Sequence, residues 1–446
     1  MSWRKVKLGE VMKRRRETVK VHPDEEYKLV TIKLYHKGVT LRNTSKGLEI
    51  KSPMSAIKAG DFILSGIDAR NGAFGIVPDE LDGAIITNDF WCLDPDETLI
   101  DKEFLLFLTS TEFFDYICKQ SSDGTTQRIR LQKDRFFNYE IDLPSIAEQK
   151  VILKKLKELK KGSESLSTEL THQLSLVQQL RRQLLQEAVQ GKLLAQDPSD
   201  EPADALLRKI KAEKEQLIKA GKLKKDKPLP PVHAEEAPFE IPEGWVWCRL
   251  GEVCSKIGSG STPKGSNYAK SGIPFFRSQN IYNEGLVYDD ITLISGEVHA
   301  QMTGTIVYAN DILLNITGGS MGRCAIVPSE FEEGNVSQHV CIIRPIYVNN
   351  SFYHKVVLSP FFQKYIFSST TGAGREGLPK YNLEQFLIPL PPLPEQHRIV
   401  QKLEQLLQTC DALEASIRHS QDCNAQLLQQ VLREALSAPS APMSLS

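Results

Sequence analysis

Apolar residues recur every three and four positions along two long stretches of the chain. In the second stretch the steps of four and three continue without a break through Ile399, Leu403, Leu406, Cys410, Leu413, Ile417, Ser420, Asn424, Leu427 and Val431. This spacing is typical of a coiled coil. A helix with one narrow apolar stripe needs a partner to bury it, so the pattern predicts a long paired helix.

The first stretch has the same seam 247 residues earlier, at Ile152, Leu156, Leu159, Ser163, Leu166, Leu170, Gln173, Val177, Leu180 and Leu184. Because the two seams match position for position, we expect the two helices to pair within one chain. Two alternatives stay open: each helix packs on its own globular region, or the chain forms a homodimer. Polar residues at Gln173, Ser420 and Asn424 interrupt the seam, and such residues often fix the register of a coiled coil.

The helices belong to a long internal repeat. WRKVKLGEV at residues 3–11 corresponds to WCRLGEV at 247–253, and AGDFILSG from Ala59 corresponds to ANDILLNI from Ala309. The third match pairs IDLPSIAEQKVILKKL with IPLPPLPEQHRIVQKL, which begin at Ile141 and Ile388. Three collinear matches indicate two copies of one unit. In each copy a mixed region rich in β signals precedes a proline-marked boundary and the long helix.

The repeat predicts an α+β fold with a pseudo-two-fold plan: two similar α/β domains separated by a pair of long antiparallel coiled-coil helices. A lysine-rich linker with an amphipathic start joins the copies. It is interpreted either as a short helix and basic arm that touches DNA or a partner, or as a solvated tether. The predicted segments are a first domain at 1–143, a helix at 144–194, the linker at 195–240, a second domain at 241–390, a helix at 391–437 and a disordered tail at 438–446.

Composition adds limits. The 446 residues carry a net charge of −1, with 41% hydrophobic and 25% charged residues, which is normal for a globular protein. The start of the chain has no signal-peptide pattern, and no apolar run is long enough for a membrane span. The eight cysteines form no CxxC pair, so they are expected to be reduced, mostly buried thiols in a cytoplasmic protein rather than a zinc site.

Three segments resemble the specificity subunits of Type I restriction-modification systems. LPPLPEQHRIVQKLEQLL at 390–407 is similar to the boundary between a target-recognition domain and a conserved helix in that family. PFEIPEGWVWCRLGEVCSKIGSGSTPK at 238–264 resembles the opening of a second recognition domain, and LLQEAVQGKLLAQDPSDEPADALLRKI at 184–210 resembles the exit from the central helix. The first copy departs from this pattern, because it lacks the IPEGW lead-in and has Ser145 where the second copy has Pro392.

The resemblance implies a non-catalytic DNA-recognition subunit without a cofactor or metal. Each of its two target-recognition domains would read one half of a bipartite site in double-stranded DNA. Two methyltransferase (modification) subunits and the restriction (helicase-nuclease) subunits would be its partners, and adenine methylation would be carried out by the former. Helices of about 35–40 residues span roughly 50–60 Å, which would make the paired helices a spacer between two readers.

DNA readers need cations for phosphates and polar side chains for base edges. Several glycine-containing loops supply this mixture, and glycine lets a backbone approach phosphate closely. The alternative for each is a solvated turn with incidental charge. The candidates in the first copy are Arg70, Asn71, Thr125, Thr126, Gln127, Arg128 and Arg130. Those in the second copy are Ser261, Thr262, Lys264, Arg277, Gln279, Asn280, Arg323, Arg375 and Lys380.

Two other functional classes compete with a DNA reader. One is an interaction scaffold, which would show no salt-sensitive preference for DNA. The other is a nuclease, for which Asp96, Glu158 and Lys160 could be assembled loosely, although the last two lie on the heptad helix. The sequence contains neither a methyltransferase cofactor loop with its D/N/S-P-P-Y/F motif nor a Walker motif, so we expect the chain to guide a partner's active site.

Overall fold

This computed structural model describes residues 3–124, 129–225, 227–266, 268–369 and 377–435. The candidates Thr125, Thr126, Gln127, Arg128 and Arg375 lie outside these ranges. The chain forms two compact units. Unit one combines residues 1–172 with the chain from residue 417 onward, and unit two consists of residues 173–416. Each unit therefore contains one α/β region and a part of each of two long helices.

Unit one begins with short strands and short helices. Its strands are β1 (Arg4–Lys7), β2 (Met12–Arg15), β3 (Thr18–Val19), β4 (Glu26–Ile32), β5 (Val39–Lys46), β6 (Met54–Ala56), β7 (Phe62–Ser65), β8 (Phe74–Ile76), β9 (Ile85–Thr87), β10 (Phe90–Pro95), β11 (Ser122–Asp123), β12 (Arg130–Leu131) and β13 (Glu140–Leu143). Its short helices are α1 (Leu8–Val11), α2 (Lys102–Thr109), α3 (Glu112–Gln120) and α4 (Lys133–Phe137).

The chain contains two long helices and a shorter helix in the linker. The helix α5 runs over Ile146–Val189, α6 over Ala203–Lys219, and the last helix, α11, over Leu393–Ala435. Between α6 and α11 lie the short helices α7 (Gly296–Gln301), α8 (Asn350–Leu358), α9 (Pro360–Ser368) and α10 (Lys380–Gln385). The helix α11 begins directly after Pro392 and α5 begins two residues after Pro144, so both start at the predicted proline boundary.

The strands of unit two complete the list. They are β14 (Val246–Arg249), β15 (Cys254–Ser259), β16 (Ile273–Phe276), β17 (Ile281–Tyr282), β18 (Gly285–Leu286), β19 (Thr292–Ile294), β20 (Ile306–Tyr308), β21 (Ile312–Asn315), β22 (Cys324–Ile326), β23 (Glu333–Val336), β24 (Val340–Pro345) and β25 (Leu387–Leu390).

The two α/β regions share one sheet topology. The order β2-β10-β7-β8 in unit one corresponds to β15-β24-β21-β22 in unit two. The order β6-β9-β4-β5, to which unit one adds the edge strand β3, corresponds to β20-β23-β16-β19; β4 and β9 pair in parallel, as do β16 and β23. The strands β7 and β21 are buried along their whole length, which explains their continuous apolar sequence. The predicted repeat of two similar α/β regions is confirmed.

A strand pair closes each α/β region at its two ends. In unit one β1 runs antiparallel to β13, with Arg4 opposite Leu143 and Lys7 opposite Glu140. In unit two β14 runs antiparallel to β25, with Val246 opposite Leu390. The first strand of each region thus lies beside the strand that leads into a long helix. The chain thus begins each region on one strand of this ladder and passes from the other strand into the long helix.

The glutamine of the repeated Glu-Gln motif anchors each long helix. Gln149 is fully buried; its amide nitrogen donates to Pro144 O (2.9 Å) and its oxygen accepts from Asp101 N (2.8 Å). Gln396 is also fully buried, and it bonds in the same way to Pro391 O and Asn349 N. Each glutamine satisfies backbone groups that would otherwise be buried without partners. This shared task explains why both copies have the residue.

The two long helices pair in antiparallel fashion. In unit one Asn424 Nδ2 donates to Ser163 O (3.0 Å), and Gln421 Nε2 lies 3.4 Å from Thr171 Oγ1. Asn424 thus contributes to the register, as expected for a polar seam residue. In unit two Arg181 forms an ion pair with Asp411 (2.6 Å). The helices also pack on the α/β regions, so intramolecular pairing and packing on the globular part occur together.

The predicted seam is half right. One row with seven-residue spacing faces inward in both helices: Leu156, Leu170, Val177, Leu184, Leu403 and Cys410 are buried. In the alternate row the prediction is wrong for five leucines that are 43–63% exposed, although Ile399 is buried; the five are Leu159, Leu166, Leu180, Leu413 and Leu427. Arg181 and Glu414, each one residue beyond an exposed leucine of that row, form an interhelical ion pair (3.3 Å). The structure thus buries one row and turns most of the other toward solvent, a rotation that the apolar pattern does not give.

The linker between the copies is attached to unit two. Leu206 and Ile210 of α6 are buried, Lys211 forms an ion pair with Glu252 (2.8 Å), and Lys214 donates to Gly251 O (2.6 Å). The predicted short helix is present. Lys211 and Lys214 therefore contact the second α/β region and do not belong to a purely solvated tether.

A buried histidine makes unit two sensitive to acid. His354 lies on α8, is 5% exposed, and its Nε2 lies 3.0 Å from Cys324 O. Burial lowers the pKa of His354 to about 4. Because the folded pKa lies below the unfolded value, the neutral form stabilises the fold above about pH 6.5, and this stability is lost as the pH falls toward 4.

We expect the free energy of unfolding to fall by about 3 kcal/mol between pH 6.5 and 4 on account of His354. The variant His354→Gln keeps an N–H near Cys324 O but cannot gain charge, so its stability should fall less over this range. Urea unfolding of both proteins at several pH values measures the difference. Equal slopes for the two proteins would contradict the prediction.

All eight cysteines are free, and all are buried except Cys423, as expected from their spacing. None of the helices in the described ranges is both long and apolar enough to cross a membrane.

Candidate nucleic-acid interface

In unit one, a short turn supports the loop that contains Arg70 and Asn71. The backbone N–H of Tyr35 donates to Asn71 O and that of His36 donates to Gly72 O, both at 2.9 Å. Tyr35 and His36 have φ values of 60° and 57°, an uncommon and strained conformation for such residues. The Tyr35 side chain is 72% exposed. The turn therefore adds an aromatic side chain next to a predicted DNA-contact loop.

The other described candidate in this region, Arg130, lies on β12. Its guanidinium forms an ion pair with Asp89 (3.0 Å), and both side chains are about half exposed. The next residue, Leu131, donates its backbone N–H to Gly66 O (2.7 Å). The Nε of Arg70 is buried and has no hydrogen-bond partner among the described residues. Arg70 is thus half-buried, whereas Arg130 extends into solvent.

In unit two, four predicted loops meet along one edge. Ser261 N donates to Val336 O (3.2 Å), which places the loop after β15 beside the end of β23. Thr317 forms an isolated β-bridge with Gly377, which brings the loop after β21 to the segment before α10. Asn315 Nδ2 donates to Ser278 O (2.9 Å), which adds the loop after β16. We call this edge of unit two, formed by residues 259–264, 276–280, 315–323, 337–339 and 377–380, the polar rim.

The candidate side chains on the polar rim have different surroundings. Ser261, Lys264 and Gln279 are exposed. Lys380 is also exposed and forms an ion pair with Glu384 (3.0 Å). Arg323 lies over the ring of Tyr282, with 4.7 Å between the guanidinium carbon and the ring centroid. Thus most of the candidates could be reached by a ligand approaching this edge.

Two candidates support the rim from within. Asn280 is 1% exposed; its Oδ1 accepts from Arg277 N (3.0 Å) and its Nδ2 donates to Val287 O (3.1 Å). Both atoms of the amide are used inside the loop, so Asn280 shapes this loop. Arg277 is half-buried, with a buried Nε that has no hydrogen-bond partner among the described residues. That any of these residues contacts DNA stays a prediction.

Sequence reasoning missed two residues of the polar rim. Gln338 and His339 form the turn between β23 and β24, and both are exposed. Thr262 Oγ1 donates to Gln338 Oε1, Gln338 Nε2 lies 3.0 Å from His339 Nε2, and Thr317 Oγ1 lies 2.7 Å from His339 Nδ1. A chain of hydrogen bonds thus connects two predicted loops through this turn. The turn has no glycine or cation, so no sequence signal marked it.

One cluster among the described residues has the side chains of a metal site: Asp61, Cys92 and Asp94. Arg15 lies among them, in an ion pair with Asp61 and at 3.4 Å from Asp94, and donates to Cys92 Sγ at 3.2 Å. Burial raises the pKa of Cys92 to about 11, so the thiol is protonated at neutral pH. The arginine already supplies the positive charge that these groups require, and we assign no metal here.

The known proteins that the chain resembles include specificity subunits of Type I restriction enzymes. The chain is 35% identical to the EcoAI specificity subunit of a Type I restriction enzyme from Escherichia coli, over 62% of this chain and 47% of that protein. It is 30% identical to the EcoEI specificity subunit from the same organism, over 58% of this chain and 45% of that protein. The chain thus spans about half the length of these curated relatives.

Solved structures share the fold. A chain from a type I R-M system, solved in work on complex assembly and conformational transition, matches with a TM-score of 0.60 and 21% identity, covering 98% of both chains. The HsdS subunit from Thermoanaerobacter tengcongensis matches with a TM-score of 0.53 and 22% identity, covering 98% of this chain and 96% of that one.

The family model described as the Type I restriction modification DNA specificity domain matches residues 1–176 and again residues 242–420. The two matches fall on the two halves that the internal repeat defines, and together they cover most of the chain. Each contains one of the α/β regions with matching sheet order and the start of the long helix that follows it. The chain belongs to the family of Type I restriction-modification DNA specificity proteins.

Proposed function

We propose that this chain is the sequence-specific DNA-binding subunit of a Type I restriction-modification complex, and that it recognises a bipartite target. The observation that carries the proposal is the repetition of one α/β framework that holds polar and cationic loops at corresponding places. In each copy the loop after β7 or β21 lies beside the connection that follows β4 or β16. Two similar readers in one chain suit a target with two half-sites.

The side chains at these loops suit both parts of DNA recognition. Arg130, Lys264 and Lys380 are exposed cations for phosphates, which would give binding strength and salt dependence. Exposed amides such as Asn71 and Gln279 have the paired donor and acceptor that read a base edge. The net charge of −1 does not oppose this assignment, because DNA responds to local charge.

The chemistry is assigned to partners. The sequence contains no methyltransferase or nucleotide-hydrolysis motif, so the chain would position two modification subunits and the restriction subunits on its target. Support for partners comes from the relatives, which are named as specificity subunits of Type I restriction enzymes. A base that is methylated must leave the helix stack, and that step would belong to the modification subunits.

Methylome sequencing tests this function. Cells that express the modification subunits should carry adenine methylation in a split motif when this chain is present, and should lose that motif when it is absent. In vitro, binding of the chain to the motif should weaken roughly a thousandfold between 50 and 200 mM salt if about six phosphates are contacted. Unchanged methylation without the chain would contradict the proposal. Metal-dependent DNA cleavage by the purified chain alone would point to a nuclease instead.

A further inference from the structure

We propose that Gln338 reads the edge of an adenine in the half-site bound by unit two, and that His339 positions its amide. The inference rests on the proposed function and names a specificity-determining residue within it. Both side chains are exposed at the middle of the polar rim, on the turn between β23 and β24.

The backbone of this turn is fixed by the segments on either side. Ser261 N donates to Val336 O (3.2 Å) just before Gln338, and Ile316 N donates to His339 O (3.0 Å). A side chain reads a base precisely only when its own support is rigid. The turn meets this requirement because strands and neighbouring loops hold its backbone while its side chains face solvent.

The hydrogen bonds between the side chains orient the amide. Thr262 donates to Gln338 Oε1, and with His339 in the Nδ1–H tautomer the Gln338 amide donates to His339 Nε2 (3.0 Å) and His339 Nδ1 donates to Thr317 Oγ1 (2.7 Å). This direction of donation is consistent along the whole chain for a neutral imidazole. Gln338 keeps one lone pair on its oxygen and one N–H for a ligand. An oxygen acceptor beside an N–H donor matches the N6 amino group and the N7 atom of adenine in the major groove.

Unit one has a corresponding turn with a different set of side chains. Gly66 N donates to Asp89 O (2.7 Å), at the place where unit two has the backbone bond to His339. Asp89 therefore corresponds to His339, and the exposed amide of Asn88 corresponds to Gln338. In unit one the second residue is held by its ion pair with Arg130 (3.0 Å). The framework is shared and the side chains differ, as two half-sites of different sequence require.

The test selects DNA from a duplex library in which the whole target region is randomised. The full chain, purified with its modification subunits, is compared with Gln338→Glu, Gln338→Ala and the control Gln408→Glu. The control makes the same charge change at an exposed position on α11. A glutamate accepts a hydrogen bond from cytosine N4 but cannot donate to adenine N7. We expect Gln338→Glu to replace one adenine of one half-site by cytosine, and Gln338→Ala to reduce the preference at that position about ten- to a hundredfold.

The outcomes separate this inference from the proposed function. If the unaltered chain selects a bipartite motif and both Gln338 variants select the same motif, Gln338 is not a reader and the proposed function stands. If the unaltered chain selects no motif, the proposed function fails and this inference fails with it. The variant Asn88→Asp provides an independent test, because it should change a base in the other half-site only. A motif unaffected by Asn88→Asp would overturn the correspondence between the two turns.

Discussion

The variant Arg344→Met should lower the free energy of unfolding of unit two by about 3–5 kcal/mol, because it leaves a buried carboxylate without its counter-charge. Asp311 is 1% exposed, and Arg344 donates to both of its oxygens at 2.6 Å. The same guanidinium donates to Ile306 O and lies over the Tyr308 ring. The expected loss is larger than that caused by most single substitutions, because the charge of Asp311 stays buried without a partner cation.

The chain contains its own matched control for this variant. Asp61 occupies the same place in the first repeat and pairs with Arg15, which comes from β2, whereas Arg344 comes from β24. Both aspartates accept a backbone N–H, from Lys58 and Tyr308, but Asp61 is 13% exposed and Asp311 only 1%, so Arg15→Met should have a smaller effect. In unit two, adding Asp311→Asn to Arg344→Met should recover much of the loss. Urea unfolding measures the losses, together with amide hydrogen exchange in β21 and β24 for the variants of unit two and in β7 and β10 for Arg15→Met. Equal losses for Arg344→Met and Arg15→Met would show that burial of the aspartate is not the cause.

On the proposed function, replacing residues 1–143 by the same region of a family member with a different target should exchange one half-site of the methylated motif and leave the other unchanged. The chimera should lose its preference for the original full site, a preference that typically amounts to about 10³–10⁷ over non-specific DNA. The physical reason is the ladder between β1 and β13, which closes the region at both ends before α5 begins. The foreign region must form that ladder, bury the start of α5 and pack against the end of α11, where Leu428 and Val431 contact the core of this region and Arg433 pairs with Glu112.

Methylome sequencing of cells that express the chimera is the measurement. The reciprocal chimera, with residues 241–390 exchanged, is the control and should change the other half-site. A chimera in which both half-sites change would contradict independent readers, provided that its unfolding temperature matches that of the parent.

Much of the fold follows from the sequence because the repeat supplies an internal comparison. Matching strings predicted the two α/β regions and the long helices after their prolines. The same comparison could not give the rotation of the helices, because leucines alternate evenly on both rows of the seam. In the structure one row is buried, and Arg181, which follows the exposed Leu180, forms ion pairs with Asp411 and Glu414. A heptad pattern gives the direction and length of a helix pair more reliably than the residues at its contact.

The glutamate of the repeated motif shows why two matching residues can differ in role. Glu148 is exposed and bonds to Ser145 at the start of α5. Glu395 is 1% exposed and accepts from Trp245 Nε1 (2.8 Å), and burial raises its pKa. The difference comes from the IPEGW lead-in, which is present only in the second copy and supplies Trp245. A motif therefore fixes the position of a residue, but the segment that packs on it decides its chemistry.

The predicted loops of unit two lie along one edge in the structure, but the sequence could not give the surroundings of their side chains. Glycines and cations marked the loops that contain Arg70, Ser261 and Arg323. Asn280 looked like a base reader because it is an amide in a loop, but both of its polar atoms are used inside the protein. Gln338 gave no signal, because its place on the polar rim depends on contacts with segments more than seventy residues away in sequence, such as Thr262.

The ladders that close the two α/β regions also bear on how such a gene can change. The repeated motifs LGEV and Leu-Pro with Glu-Gln lie at the two borders of each region, beside β1 and β13 or β14 and β25. A genetic crossover within these borders would join foreign and resident segments where the requirements are backbone pairing, one buried glutamine and packing against the long helices. Under the proposed function, one such event would give a lineage a new DNA target while each region keeps the ladder that closes it.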